Sequence, residues 1–448
     1  MPSKYFVDLV IEPRWVLPIA PANTALTGHA VAVTEGRIVA IAPSAQIEAH
    51  YEPRERVVRS DHALLPGFVN AHTRAATTLL RGLPVYGPRQ RWMQETVLPI
   101  ARNCMSPDFI REGTQLAMAE MLRAGITAFG DMYWFPEEAA RAASTARMRA
   151  AIGLPVTDGP TVWAESATGH LAKAEDLWDE YQSHPGVSLY FAPVNALGQG
   201  DQTLARVRRV ADELDARVAM YLAPGQMPEN PARAPSPLLR LRELGLLGPG
   251  FTAIHPGGDL DEEELEIAAT TGICVVACPQ SGLRLGAALC SVSRLDARKV
   301  SVGFGTDSAA SVGALDILAE ARTAALLAGL DRGAQDGGSR AGALDAPTVL
   351  RMATLGGAMA LGLGSVTGSI EPGKAADLVC IDLSALACLP ATRPADAILF
   401  GATREQVSDV WTSGRAAVRE RHLLTFDEQE LRALAQRWAE RTSSGGLT

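Results

Sequence analysis

Between about residues 63 and 365 the chain alternates eight apolar, strand-like runs with amphipathic helical stretches. The runs are ALLPGFVNAH, ITAFGDM, RMRAAIGLPV, VSLYFAPV, RVAMYLAP, FTAIHP, ICVVACP and VSVGFGTD. Strands that alternate with helices point to parallel βα units. Eight such units in about 300 residues predict an α/β protein built on a (β/α)8, TIM-like barrel. A doubly wound open sheet is the alternative, but no G-x-G-x-x-G follows the first strand. Helices between the runs include SPDFIREGTQLAMAEMLRAG, whose Ser106-Pro107 opening suits an N-cap and first helical position, and DQTLARVRRVADELD.

The two ends read differently. YFVDLVI, HAVAVTEGRIVAIAP and RERVVRS before the barrel, and ADLVCIDL and VSDVWTSGRAAVRERHLL after it, are short alternating strands joined by turn residues. Residues 1–62 and 370–425 are therefore expected to form one composite β-sandwich, with the barrel at 63–369 and a charged helix and tail at 426–448. Apolar residues make up 47% of the 448, enough for a substantial core. The formal net charge is -9 with no long basic run, which argues against a nucleic-acid partner. No apolar run reaches the roughly 20 residues that span a bilayer, and the N-terminus lacks the pattern of a signal peptide. The six cysteines follow no disulfide-framework spacing. A soluble, cytoplasmic protein is expected.

In a barrel of this kind chemistry gathers at the C-terminal ends of the strands. Those ends supply His72 and Arg74, Asp131, Pro193 to Asn195, Tyr221 to Pro224, His255, Cys278 and Asp307. Strand side chains alternate with period two, so His72 and Arg74 face the same way. A polar pair at that spacing is usually His-x-His holding a metal, yet a guanidinium has no lone pair to donate. The other histidines (His29, His50, His62, His170, His184 and His422) sit at no strand end. A three-histidine zinc site is not expected from this chain.

PGFVNAHT, LLRG, the helix around Trp92, GDMYWFPE, CPQSGLRL, GTDSAAS, RTAALL, ATLGGAMALGL and EPGKAADLV follow one another in the order of a known family. The chain resembles the amidohydrolase superfamily, most closely its S-adenosylhomocysteine/methylthioadenosine deaminase and triazine hydrolase branch. The resemblance implies a barrel beside a small β-sandwich, a homodimer, and one zinc or iron ion that activates a hydrolytic water. It implies that His72, Asp307 and His255 match family positions: two metal ligands and the residue that polarises water or substrate. It also implies that Arg74 and Tyr221 stand where histidine ligands are expected, Pro224 where a proton-shuttling glutamate is expected, and Val194 and Ala277 where further histidines are expected. Two ligands in place of four, with a fixed positive charge beside them, predict weak metal binding, since a full zinc site contributes roughly 10–16 kcal/mol. No cofactor is therefore expected.

The expectation drawn from this is a protein that has lost metal-dependent deamination: a pseudoenzyme or a barrel with a reassigned pocket. The alternatives are a hydrolase acting on C–N bonds of a purine-like or heterocyclic substrate that still recruits a metal through His72, Asp307 and His255, and a metal-free catalyst using a His255–Asp307 acid/base pair. A small-molecule ligand fits any of these, and pairing with an intact paralogue is the alternative to a homodimer. Asp307 is expected to pair with Arg74 or His255, and Tyr221 to fill the ligand space by packing. Trp92 is either a rim aromatic or a stacking platform. Arg89 and Arg91 either make the mouth cationic, with Arg74 forming an anion site, or are solvated loop residues. Cys278 is expected to turn away from the pocket, because it follows the inward-facing position of Ala277.

Overall fold

The computed structural model describes residues 4–85, 89–222, 236–254, 260–287, 289–333 and 344–444. Its centre is a curled sheet of parallel strands: Phe68–Arg74, Ile126–Asp131, Arg149–Val156, Val187–Pro193, Arg217–Tyr221, Phe251–Ile254, Cys274–Ala277, and an eighth strand in two pieces, Ser301–Phe304 and Asp307–Ser308. The two pieces close the barrel. Phe304 pairs with Ala277 on one side, while Asp307 pairs with Thr73 of the first strand on the other. Nearly every residue of these strands is buried, because a parallel sheet lined by side chains inside and helices outside leaves neither face to water. That double burial is why the strands read as unbroken apolar runs.

Helices follow the strands as the sequence predicts. The helix Pro107–Arg123 is capped by Ser106, whose Oγ accepts from the Phe109 amide at 3.2 Å. The helix Asp201–Glu213 buries Thr203, Leu204, Val207 and Ala211 on one face. The first strand is irregular where it matters: its register against the second strand shifts between Asn70 and Thr73, on either side of His72. Such a shift re-aims side chains near a strand end.

The terminal segments form a nine-stranded mixed sheet in which the long strand Tyr51–Pro66 lies between Tyr5–Val16 and Leu378–Asp382. One core, around Leu9, Ile11, Val31, Leu64, Leu378 and Trp411, and a second, around Val10, Ala32 and Ile47, pack its residues. The sheet is tied to the barrel through buried Arg149, at the start of the third barrel strand. Its Nε donates to Asp377 Oδ2 at 2.8 Å and its Nη2 to Ser413 Oγ at 3.1 Å. The C-terminal helix Glu428–Ser444 docks on Pro107–Arg123, with Trp438 edge-on to Phe109 at 5.3 Å and donating from Nε1 to Glu112. No described helix is long and apolar enough to cross a membrane.

Candidate active site at the barrel mouth

Closure of the barrel by two separate pieces sets the site. Between them the chain passes so close to the first strand that a Cβ on Gly305 would meet the His72 backbone oxygen at 2.7 Å and its Cβ at 2.8 Å. Only glycine fits there. Asn70 fixes the same junction, donating from Nδ2 to Thr306 Oγ1 at 2.8 Å and accepting from the Thr306 amide at 3.1 Å. Asp307 then adopts a left-handed backbone, φ 57°, a conformation costly for a side chain other than glycine and often found at functional positions. Its carbonyl accepts from Thr73 Oγ1 at 3.0 Å, and its Oδ2 accepts from Ser281 Oγ at 2.9 Å.

The other carboxylate oxygen is where the sequence-predicted residues meet. His72 Nε2 lies 3.6 Å from Asp307 Oδ1, and Arg74 Nε lies 3.6 Å from that same atom. His72 is fully buried and Asp307 nearly so, while 22% of the Arg74 side chain remains exposed. Tyr221 completes the group: its ring centroid is 6.3 Å from that of His72, and Arg74 Cζ lies 5.9 Å from it. Burial works against the Arg74 charge, but Asp307, with smaller help from Tyr221, Tyr133 and Cys278, holds its guanidinium above its ordinary pKa. It stays a cation.

Around this core are groups that the sequence alone did not rank. Asp131 closes the second strand, its Oδ1 accepting from the Ala75 amide at 2.7 Å. Burial pushes its carboxyl up to about 7, against the lowering influence of that hydrogen bond and of Arg74. The Tyr133 phenol is pushed up to about 12, also by burial and against Arg74. Tyr190 donates from its hydroxyl to the Asp131 carbonyl at 3.0 Å. Glu320, on the helix Ile317–Gly333, is buried and accepts at Oε2 from the Gln280 amide at 2.9 Å. It thereby braces the short helix Pro279–Arg284 that carries Ser281.

The remaining candidates are dispersed. Trp92 is buried in the main core and donates from Nε1 to the Pro84 carbonyl at 3.0 Å, which makes it a packed rim aromatic. Arg91 pairs with Glu95 at 2.8 Å, both side chains largely exposed. Arg89 begins the same short helix, but its side chain is outside the described residues, as are His255 and Pro224. Cys278 corrects the expectation from alternation. Cys278 packs with Cys274, Val276 and Tyr221, while Ala277 packs with Val275 in the outer core, so alternation runs one residue out of step with the expectation and turns the thiol inward, within electrostatic reach of Arg74. His170 is structural, its Nδ1 2.9 Å from the Pro155 carbonyl and its Nε2 3.2 Å from Thr161 Oγ1.

Among the described residues no three His, Cys, Asp or Glu side chains are grouped so as to hold a metal ion. His72 and Asp307 are donors of the right kind, but the third group on Asp307 is a guanidinium, and guanidinium offers no lone pair. The described set does not fit a four-ligand zinc or iron centre.

Comparison with known proteins decides the family. The profile of the Amidohydrolase family matches residues 63–417. The chain belongs to the amidohydrolase family. A 5-methylthioadenosine/S-adenosylhomocysteine deaminase from Teredinibacter turnerae is 36% identical over 98% of this chain and 99% of its own length. Among solved structures, an adenosine deaminase from Xanthomonas campestris with bound zinc is 40% identical, with a TM-score of 0.94, covering 99% of this chain and 100% of that one. An atrazine chlorohydrolase from Arthrobacter aurescens, complexed with zinc, is 20% identical with a TM-score of 0.86 over 96% of this chain and 100% of its own, and shares the fold. The chain is thus homologous to deaminases of the methylthioadenosine/S-adenosylhomocysteine type along its whole length.

Proposed function

We propose that this amidohydrolase acts at its barrel mouth on a purine-like or heterocyclic small molecule, through a centre in which Arg74 stands beside Asp307. Full-length likeness to named deaminases supports a C–N hydrolase. The altered character of the centre rests on one observation: Arg74 Nε and His72 Nε2 both approach Asp307 Oδ1 at 3.6 Å. A guanidinium so placed compensates a buried carboxylate that would otherwise need a cation. In such a site the Arg74 charge faces the Asp307 carboxyl, and Ser281 orients it for hydrogen bonding or proton transfer.

The same observation favours a second reading, in which the pocket is kept and hydrolysis lost. A fixed positive charge beside a divalent ion costs several kcal/mol even at an effective dielectric of about 20, and Tyr221 fills space that the resemblance assigns to a ligand. Ammonia release from 5-methylthioadenosine, S-adenosylhomocysteine and adenosine, measured with the metal content of the same preparation, tests both. Turnover that disappears in Asp307→Asn supports the hydrolase. Saturable binding without ammonia release supports loss of hydrolysis.

A further inference from the structure

The Arg74 side chain is engaged at one end only. Its Nε faces Asp307 Oδ1 at 3.6 Å and its Cζ lies over the Tyr221 ring. Among the described residues, neither Nη1 nor Nη2 makes a hydrogen bond, and 22% of the side chain is exposed. Arg74 belongs to the strand that ends at the barrel mouth. Asp307 Oδ2, meanwhile, takes the Ser281 hydroxyl, and Oδ1 lies 3.6 Å from both His72 Nε2 and Arg74 Nε, so the carboxyl offsets the Arg74 charge. What the cluster offers a ligand is therefore a planar fork of donors whose charge is already balanced by a carboxylate. A balanced charge disfavours capture of a free anion. A neutral ligand with two acceptors on one edge suits it better.

We propose that Nη1 and Nη2 of Arg74 form a subsite for the acceptor edge of an oxopurine nucleoside. The inference rests on the purine-like ligand class proposed above and on the second reading given there, in which the pocket is kept and release of a 6-amino group is lost. A 6-oxopurine presents its ring oxygen and N7 side by side, both acceptors, and a guanidinium fork meets that pair with two parallel hydrogen bonds. A 6-aminopurine replaces the oxygen with an NH2 donor. That donor would face the guanidinium donors, leaving polar groups on both sides unmatched, and such a mismatch discriminates far more strongly than a change of size. A cation fixed at this position thus selects the oxo over the amino ring.

Isothermal titration of the full-length protein with inosine and with adenosine tests this. Inosine is expected to bind at least about tenfold more tightly, the discrimination that one charge-assisted hydrogen bond supplies. In Arg74→Met the preference should disappear. Arg74→Lys guards against misfolding, because it keeps a positive charge beside Asp307 while removing the fork, and it too should lose most of the preference. Adenosine binding as tightly as inosine to the wild type overturns the subsite. So does an inosine preference that survives in a folded Arg74→Lys. If neither nucleoside binds at millimolar concentration, the purine-like ligand class itself fails along with the subsite.

Discussion

The guanidinium of Arg74 and the ring of Tyr221 are in contact, Cζ lying 5.9 Å from the ring centroid. These are the two positions at which the family resemblance expects histidine ligands, and they face each other beside Asp307. A cation over an aromatic face is attracted by the ring quadrupole, so the two residues support one another. Purified protein, dialysed without chelator, is accordingly expected to hold well under one equivalent of zinc or iron. Elemental analysis by plasma mass spectrometry checks this, and stoichiometric metal would restore the ordinary metal-dependent reading.

Because the two positions are coupled, repair should require both. Arg74→His with Tyr221→His adds two imidazoles to His72 and Asp307 and removes the opposing charge. Zinc should then raise the melting temperature of the double variant and leave that of the wild type and of either single variant nearly unchanged. Deaminase turnover should stay weak even with metal bound, since Pro224 supplies no carboxylate, and general acid–base catalysis typically contributes 10²–10⁴-fold.

Breaking the pair from one side should be costlier than removing both partners. Arg74→Ala leaves Asp307 buried without its cation and is expected to lose about 2–4 kcal/mol, toward the lower end of buried-pair effects because Arg74 is partly exposed. Asp307→Asn should relieve much of that loss when combined with it. Urea denaturation of the two single variants and the double variant gives the coupling directly. Additive losses would mean that the 3.6 Å approach carries no interaction energy.

The barrel was legible because burial on both faces writes each parallel strand as an apolar run. The meeting of His72, Arg74 and Asp307 was legible because alternation and strand-end placement are local rules. What local rules could not supply was the surroundings. Cys278 escaped because alternation fixes which residues share a face but not which face is inside, and Cys274, Val276 and Cys278 share the inner one. For Arg91 the structure takes the solvated alternative, and Glu95 four residues on was the visible signal for a surface ion pair. The place of Asp131 at a strand end was legible but the burial that raises its carboxyl was not, and no spacing in the sequence announces Glu320, which the helix Ile317–Gly333 buries.

Asp131 makes stability depend on pH. Burial raises its folded carboxyl to about 7 from an ordinary value of 3.8, so the folded state binds its proton more tightly than the unfolded state. Its contribution is then fully present below about pH 4 and is lost as pH rises toward 7, with a limiting slope of about 1.4 kcal/mol per pH unit. Asp131→Asn can still accept from the Ala75 amide and should flatten that part of the curve. Denaturation midpoints measured from pH 4 to 8 check the sign, and a wild-type curve that rises as steeply as the variant's would contradict it.

Glu320 separates two roles that burial confers on one carboxyl. Its Oε2 accepts from the Gln280 amide at 2.9 Å, and burial raises its pKa well above 4.5, with Asp316 and Asp307 pushing the same way. A neutral acid suffices to accept that hydrogen bond. Glu320→Gln, equal in shape and also an acceptor, should therefore match or exceed wild-type stability near neutral pH. It should also remove part of the loss of stability that the wild type shows as pH rises. Glu320→Leu keeps most of the volume but leaves the Gln280 amide unsatisfied, and should cost about 1–3 kcal/mol. Thermal denaturation of the three proteins at pH 5 and pH 8 distinguishes them. If Gln and Leu prove equally destabilising, the charge on Glu320 matters after all, and the brace that holds Ser281 against Asp307 depends on an ionised carboxylate.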